Sequence, residues 1–334
     1  MGNTIINYDD LLEIIFEKIP GRNKKDKILI ISKLFDLSDQ SAYNKLSGRS
    51  QFSVSELFTL SSMYGFSIDE ITQESKRDRS FIPFYSDGLK YSPRTYAEYL
   101  QNINGYFGKI KRLTHVHGYF LANEIPMMHL LNFPHLLYLK MYIWNEVNWQ
   151  IKGISKEYNP QSIVDEPEFL QQKKYLNDQF CSFHNTEIWN PNMLDNLISQ
   201  FIYLQEKGII KDFNQIQTFV QELYKLVDYL SLLAETGDKA INHKNAIYKC
   251  DIFYTELVVG SEIILVKSDE GNMLFQQLDS PNYIRTYDAN MISKVYDFFK
   301  EIKKSSTYIT ATGERERVKF FENLRQRCTK IHHT

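Results

Sequence analysis

Residues 40–44 bring Gln40, Ser41, Tyr43 and Asn44 together in one short polar run that closes on Lys45 and Arg49. Amide and hydroxyl side chains at that spacing on an exposed helix are the donors and acceptors that read base edges in a major groove. Gln and Asn can each make paired hydrogen bonds to adenine. Lys45 and Arg49 stand where the chain would pass a phosphate backbone, and Lys24, Lys25 and Lys27 flank the preceding segment. Charge is distributed to match. From Lys18 to Ser50 eight basic residues face three acidic ones, a local net of +5, although residues 1–75 as a whole carry −3 and the chain −2. Phosphate contacts supply most non-specific affinity, so a local patch of this kind implies modest, salt-sensitive binding.

The elements needed to position these residues are legible around them. Ile28, Ile31, Leu34 and Phe35 form an apolar stripe at helical spacing. Asp36-Leu37-Ser38 breaks that helix, and Ser38 is a suitable N-cap for a second helix over Asp39–Leu46. Ser53-x-x-Glu56 is a capping box that opens a third helix with Val54, Leu57, Phe58 and Leu60 as its apolar positions, and Ser67-x-x-Glu70 opens a fourth. Upstream, Tyr8–Ile19 places Leu12, Ile15, Phe16 and Ile19 on one face and ends at Pro20-Gly21. The order of parts is that of a helix-turn-helix.

The turn with Leu37 and Ser38, the helix SAYNKLSG (Ser41–Gly48) and the tail SVSELFTLSSMYGFSIDEI (Ser53–Ile71) resemble the DNA-binding domain of the lambda-repressor-like (Cro/C1, Xre) bacterial regulators. Those domains place Gly at the turn position held here by Asp36. Asp tolerates positive φ better than most residues, so the turn survives the exchange. The resemblance implies double-stranded DNA as partner, with Lys25, Lys27, Ser38, Gln40, Ser41, Tyr43, Asn44, Lys45 and Arg49 as the contacting residues. It also implies a homodimer on two half-sites and transcriptional control as the role.

A chain of 334 residues fits two domains. With 43% hydrophobic and 24% charged residues it has the composition of a folded globular protein, which excludes global disorder. Three cysteines far apart, Cys181, Cys250 and Cys328, make neither a disulfide framework nor a zinc motif and suit a reducing cytoplasm. The most apolar run, Leu136–Trp144, is interrupted by Lys140 and is too short for a membrane span, so no membrane association is expected.

Residues 1–74 are thus expected to form an all-α helix-turn-helix domain. Residues 75–94, punctuated by Pro83, Gly88 and Pro93, form a linker with a docked segment near Phe81–Tyr85. Residues 95–331 form a mixed α/β (or α+β) effector or oligomerisation domain. In that last part helices are expected over Thr95–Leu113, Ile125–Trp149 (broken by its prolines), Glu168–Cys181, Pro191–Lys207 with Pro at N1, Phe213–Glu235, Met291–Lys303 and Glu314–Ile331. Strands are expected over His115–Leu121, Thr186–Trp189 and Thr307–Ala311, with an antiparallel meander of Asp251–Val258, Glu262–Lys267 and Met273–Leu278. The strings NEIPMMHLLNFPHLLYLK, TEIW, LVVGSEIILVKSDEG and STYITATGERERVKFFENLRQR resemble the large accessory domain that follows the helix-turn-helix in a group of bacterial regulators. That resemblance implies an effector, small-molecule or protein, without naming one.

Other chemistry is weaker. His115-x-His117 has a spacing that metals use, but no Cys or Asp supports it locally and no metal or cofactor is expected. Thr310, Thr312 and Gly313 run into a helix N-terminus whose free N–H groups suit an anion, opposed by Glu314 and Glu316. Glu256 and Glu262 stand close enough in sequence to pair. No nucleotide loop, nucleophile elbow or metallohydrolase motif is present, so the expectation is a binder and not an enzyme. A protein-interaction adaptor using the same helical module is the alternative.

Overall fold

Local capping dictates the first part of the molecule. The computed structural model describes residues 8–21, 23–64, 82, 84–86, 92–239, 249–257 and 260–333. The chain divides into two compact units, Met1–Pro83 and Phe84–Thr334. The first unit holds helices α1 (Tyr8–Lys18), α2 (Lys24–Phe35), α3 (Asp39–Leu46) and α4 (Val54–Tyr64). Asn23 caps α2 by accepting the Asp26 N–H at 3.0 Å. Asp36 closes it in the left-handed conformation (φ 51°, ψ 50°), its N–H returning to the Ser32 carbonyl. Ser38 then starts α3 by accepting the Ser41 N–H at 3.1 Å. The capping box of α4 forms in both directions: the Ser53 N–H donates to Glu56 Oε2 at 2.6 Å, and the Glu56 N–H to Ser53 Oγ at 3.3 Å. Leu12, Ile15, Ile19, Ile31, Ala42, Leu46, Phe52 and Leu60 meet as one buried core. The expected helix after Ser67 and most of the 75–94 segment lie outside the described residues.

The second unit is mixed α/β. Its elements are α5 (Tyr96–Ile110), β1 (His117–Ala122), α6 (Met127–Leu130), α7 (Pro134–Trp144) with a π-helical turn over Asn145–Trp149, α8 (Gln161–Val164), α9 (Pro167–Phe180), β2 (His184–Trp189), α10 (Asp195–Glu206), α11 (Phe213–Thr236), β3 (Cys250–Tyr254), β4 (Ile263–Lys267), β5 (Met273–Asp279), β6 (Asn282–Thr286), α12 (Ala289–Lys304), β7 (Thr307–Tyr308) and α13 (Glu314–Cys328). The sheet runs β6-β5-β4-β1-β2-β3-β7, with β1, β2 and β3 parallel to one another and the other pairings antiparallel. Alternate residues face opposite layers. Leu121, Ile188, Leu265 and Leu274 pack against Ile292 and Phe299 of α12. The other face carries the large core formed with α5–α7 and α9–α11. No helix among the described residues is long and apolar enough to cross a membrane.

Four expectations are corrected. The three-strand meander is a crossover: β3 pairs with β2 and β7, and only β4 and β5 form the predicted hairpin, extended by an unanticipated β6. Two apolar alternating runs joined by a glycine-containing stretch read alike whether they pair with each other or with distant strands. Pro191 does not open α10, which begins at Asp195 after a turn. His115 is outside β1, with φ 49°, so it shares no strand face with His117. The strand expected over Thr307–Ala311 is only Thr307–Tyr308, because Ala311 turns at φ 51°.

Candidate nucleic-acid interface

On α3, Ala42 and Leu46 are the buried positions, which turns Gln40, Tyr43 and Asn44 to the opposite side of a 3.6-residue helix. Gln40 is exposed, and its Nε2 donates to Asn44 Oδ1 at 3.2 Å, so the two amides form one hydrogen-bonding edge. Tyr43 is the hub of a small cationic cluster. The Lys24 ammonium lies 4.9 Å from its ring centroid and the Arg49 guanidinium 5.4 Å. Two segments, the start of α2 and the turn after α3, therefore deliver charge to one ring in the middle of α3. The ring offsets part of the repulsion between the two cations, worth about 0.5–1 kcal/mol per contact at an exposed site. An anion arriving there meets both.

Not every basic residue singled out in sequence stands with them. Lys45 lies inside its own unit, its ammonium 2.9 Å from Glu56 Oε2 and 2.9 Å from the Gln51 carbonyl, with 15% of the side chain exposed. Burial works against ionisation of Glu56, yet the hydrogen bonds from Lys45 and Ser53 outweigh it and hold the carboxyl below its usual range. Lys27 donates to the Phe16 carbonyl and lies over the Phe16 ring at 4.3 Å. Both lysines brace helices instead of projecting a charge. Ser38 and Ser41 are spent on the cap, their hydroxyls 2.9 Å apart. Lys25 is exposed.

The loop at Thr310–Gly313 does not make the expected anion cradle. Thr310 is buried and its hydroxyl accepts the Ile252 N–H at 2.7 Å, whereas Thr312 is exposed. Gly313 is needed for packing, since a Cβ there would lie 2.3 Å from the Tyr308 carbonyl oxygen. Arg317 reaches back to the Ile309 and Ala311 carbonyls. The histidines also scatter. His115 pairs with Asp269, His117 with Thr186, His129 with Glu187 and His135 with Glu222. Among the described residues no group of three or more His, Cys, Asp or Glu side chains could hold a metal ion. Glu256 is exposed while Glu262 is buried, so they form no carboxylate pair.

One cluster had no local sequence signal. Glu187, in the string TEIW, is fully buried on β2, and its Oε2 accepts from the Trp189 indole and meets His129 Nε2, each at 2.9 Å. Lys239 lies within the same interior, bound to the Phe180 and Phe183 carbonyls. Although burial opposes it, His129 and these hydrogen bonds hold the Glu187 carboxyl down at about 2, and burial lowers the Lys239 ammonium to about 8. Only the fold brings His129 and Glu187 together, 58 residues apart.

No family model and no curated protein matches the chain. Among solved structures, the chain is similar to an archaeal chromatin protein, TrmBL2, whose structure is described as showing a novel mode of DNA binding. That alignment has 8% identity over 90% of this chain and 81% of the other, with a TM-score of 0.24. Agreement at that level carries no argument for fold or function.

Proposed function

We propose that this chain is a sequence-specific DNA-binding regulator of transcription and not an enzyme. In this reading α2, the Asp36 turn and α3 act as a helix-turn-helix of the lambda-repressor-like kind, α3 enters the major groove, and the second unit responds to an effector or holds a dimer together. The observation that carries it is the meeting of the Gln40–Asn44 amide edge of α3 with the Lys24–Tyr43–Arg49 cluster gathered around the same helix. Amides at the centre and cations at the flank match the division between base reading and phosphate positioning. Lys24, Lys25 and Arg49 are the phosphate contacts in this proposal, and Lys27 and Lys45 serve as braces. A single short helix reads few base pairs, so a homodimer on half-sites about one helical turn apart is the expected functional form. Cytoplasmic residence follows from the same role.

The test is binding of Asn44→Ala and Arg49→Ala proteins to a selected operator and to random DNA at two salt concentrations. Asn44→Ala should cost about 1–3 kcal/mol on the operator and little on random DNA. Arg49→Ala should weaken both alike and lower the salt slope by about one. Unchanged affinity in all these comparisons would remove the DNA-reading proposal. A protein-docking role for the same unit has one observation in its favour: Val54 and Phe58, one turn apart on α4, are 67% and 61% exposed.

A further inference from the structure

Between the helical layer and the β4–β6 end of the sheet, the second unit encloses a cavity of about 470 Å³. Its wall is mostly apolar, a third of its lining residues are aromatic, and one part of it is built by an unusual turn. At the end of α7 the backbone widens into a π-helical turn over Asn145–Trp149, closed by the Gln150 N–H on the Asn145 carbonyl at 2.8 Å. The wider i→i+5 turn brings Trp144 and Trp149, five residues apart, together, their ring centroids 5.6 Å apart. Tyr99 of α5 completes a packed three-ring cluster, 5.7 Å from Trp144 and 4.7 Å from Trp149. The Trp144 indole is anchored by Ser280 Oγ at 2.9 Å. All three rings line the cavity.

A carboxyl faces the same space. Glu262, at the threshold of β4, lines the cavity, is 8% exposed and hydrogen-bonds with the Tyr283 hydroxyl. Among the described residues no cation forms an ion pair with it. Lys140, on the same wall, is already held by Glu124 at 2.6 Å and Gln200 at 3.3 Å. The other two cations that line the cavity, Lys109 and Arg285, lie over the Tyr106 ring, 5.7 Å and 5.3 Å from its centroid. The cavity thus supplies an aromatic wall and one carboxyl that, among the described residues, stands outside any ion pair.

We propose that this cavity binds a small organic cation, a protonated amine on an apolar or aromatic body, with Glu262 as its counter-charge and the Tyr99–Trp144–Trp149 rings as its wall. Aromatic faces attract cations most strongly where water is excluded. A buried carboxyl is neutral at little cost while the cavity is empty and ionises when a cation arrives. Control of the first unit by such a ligand rests on the proposed function, whereas the binding does not, so DNA titrations succeed or fail independently of it.

The test uses the full chain and three probes with one body: 2-phenylethylamine, 2-phenylethanol and 3-phenylpropionate. Binding is read by tryptophan fluorescence, since two of the three tryptophans, Trp144 and Trp149, line the cavity. The amine should bind about tenfold or more tightly than the alcohol, and the carboxylate least. Glu262→Gln, close in shape, should abolish the preference for the amine while alcohol binding persists. Amine affinity should rise with pH up to about 7 and then level, because burial, with Glu124 and Glu187, pushes the Glu262 carboxyl up to about 7 against the Tyr283 hydrogen bond and Lys140. Tyr99 and Arg285 also line that space and stay in one charge state over this range. Equal binding of amine and alcohol, strongest binding of the carboxylate, or no amine binding up to about 10 mM would overturn the proposal. So would an unchanged preference in a folded Glu262→Gln protein. The ranking in the unaltered chain decides the matter even if the variant fails to fold.

Discussion

The two units handle charge in opposite ways. In the first, Lys24 of α2 and Arg49 of the turn after α3 sit at the surface over one tyrosine, and the single ion pair of interest, Lys45–Glu56, keeps contact with solvent. In the second, two carboxyls lie inside the same face of one sheet, and their surroundings drive them apart. Glu187, given an imidazole and an indole, is held at about 2; Glu262, given a phenol and an apolar wall, is raised to about 7. The lesson is that burial alone does not decide ionisation: at Glu187 His129 and the hydrogen bonds overcome it, and at Glu262 the Tyr283 hydrogen bond does not. Surface charge is suited to transient contact with a polyanion, and buried charge to a defined pocket or a rigid core.

The comparison can be broken at its strongest point by removing a partner of the buried pair. Glu187→Ala or His129→Ala should cost about 3–5 kcal/mol, because each leaves a polar partner desolvated and unmatched. Urea unfolding followed by tryptophan fluorescence measures it, and all three tryptophans, Trp144, Trp149 and Trp189, belong to the second unit. A loss below 1 kcal/mol would mean that the pair contributes no more than a surface one.

The pH dependence of that same unfolding separates the two carboxyls. Glu187 has a depressed folded value, so its contribution is present above about 4.5 and is lost as the pH falls toward about 2. Glu262 has a raised folded value, so the folded state binds the extra proton and stability falls as the pH climbs from about 4.5 to about 7, by on the order of 3 kcal/mol. Glu262→Gln should erase the neutral limb and leave the acid limb. A neutral limb that survives the substitution would assign it elsewhere. The smallest effect belongs to the part-buried pair of the first unit. The Lys45–Glu56 coupling in a double-mutant cycle should be about 0.2–1 kcal/mol, read from amide hydrogen exchange over α3 and α4.

Much of the first unit was legible in the sequence because its determinants are local. The Asp36 turn, the Ser38 cap and the Ser53/Glu56 box each lie within four residues, and each forms as written. What local reading missed there was the far end of long side chains: Lys45 finds Glu56 eleven residues on, and Lys27 reaches Phe16. In the second unit helices and hairpin were readable, but strand neighbours were not. HNTEIW shows a strand's alternation without showing that Glu187 will meet His129, and Glu262 reads as an outward strand-end acid until β6 lays Tyr283 beside it. The π-helical turn leaves no mark either, since NEVNW is compatible with an ordinary helix.

The position of β1 has a consequence for synthesis. Among the described residues, every core contact of the first unit lies within the first 64 residues, so that cluster can form early in translation. β1, in contrast, sits at the centre of the sheet between β2 and β4. It can pair with His184–Trp189 once those residues emerge, but its other edge waits for Lys267, the partner of His117 and 150 residues further along. Until then a strand reading HGYFLA presents an open hydrogen-bonding edge and apolar side chains on both faces. The nascent second unit is therefore the part of this protein with most need of a chaperone, and the part whose yield should respond most to slower translation.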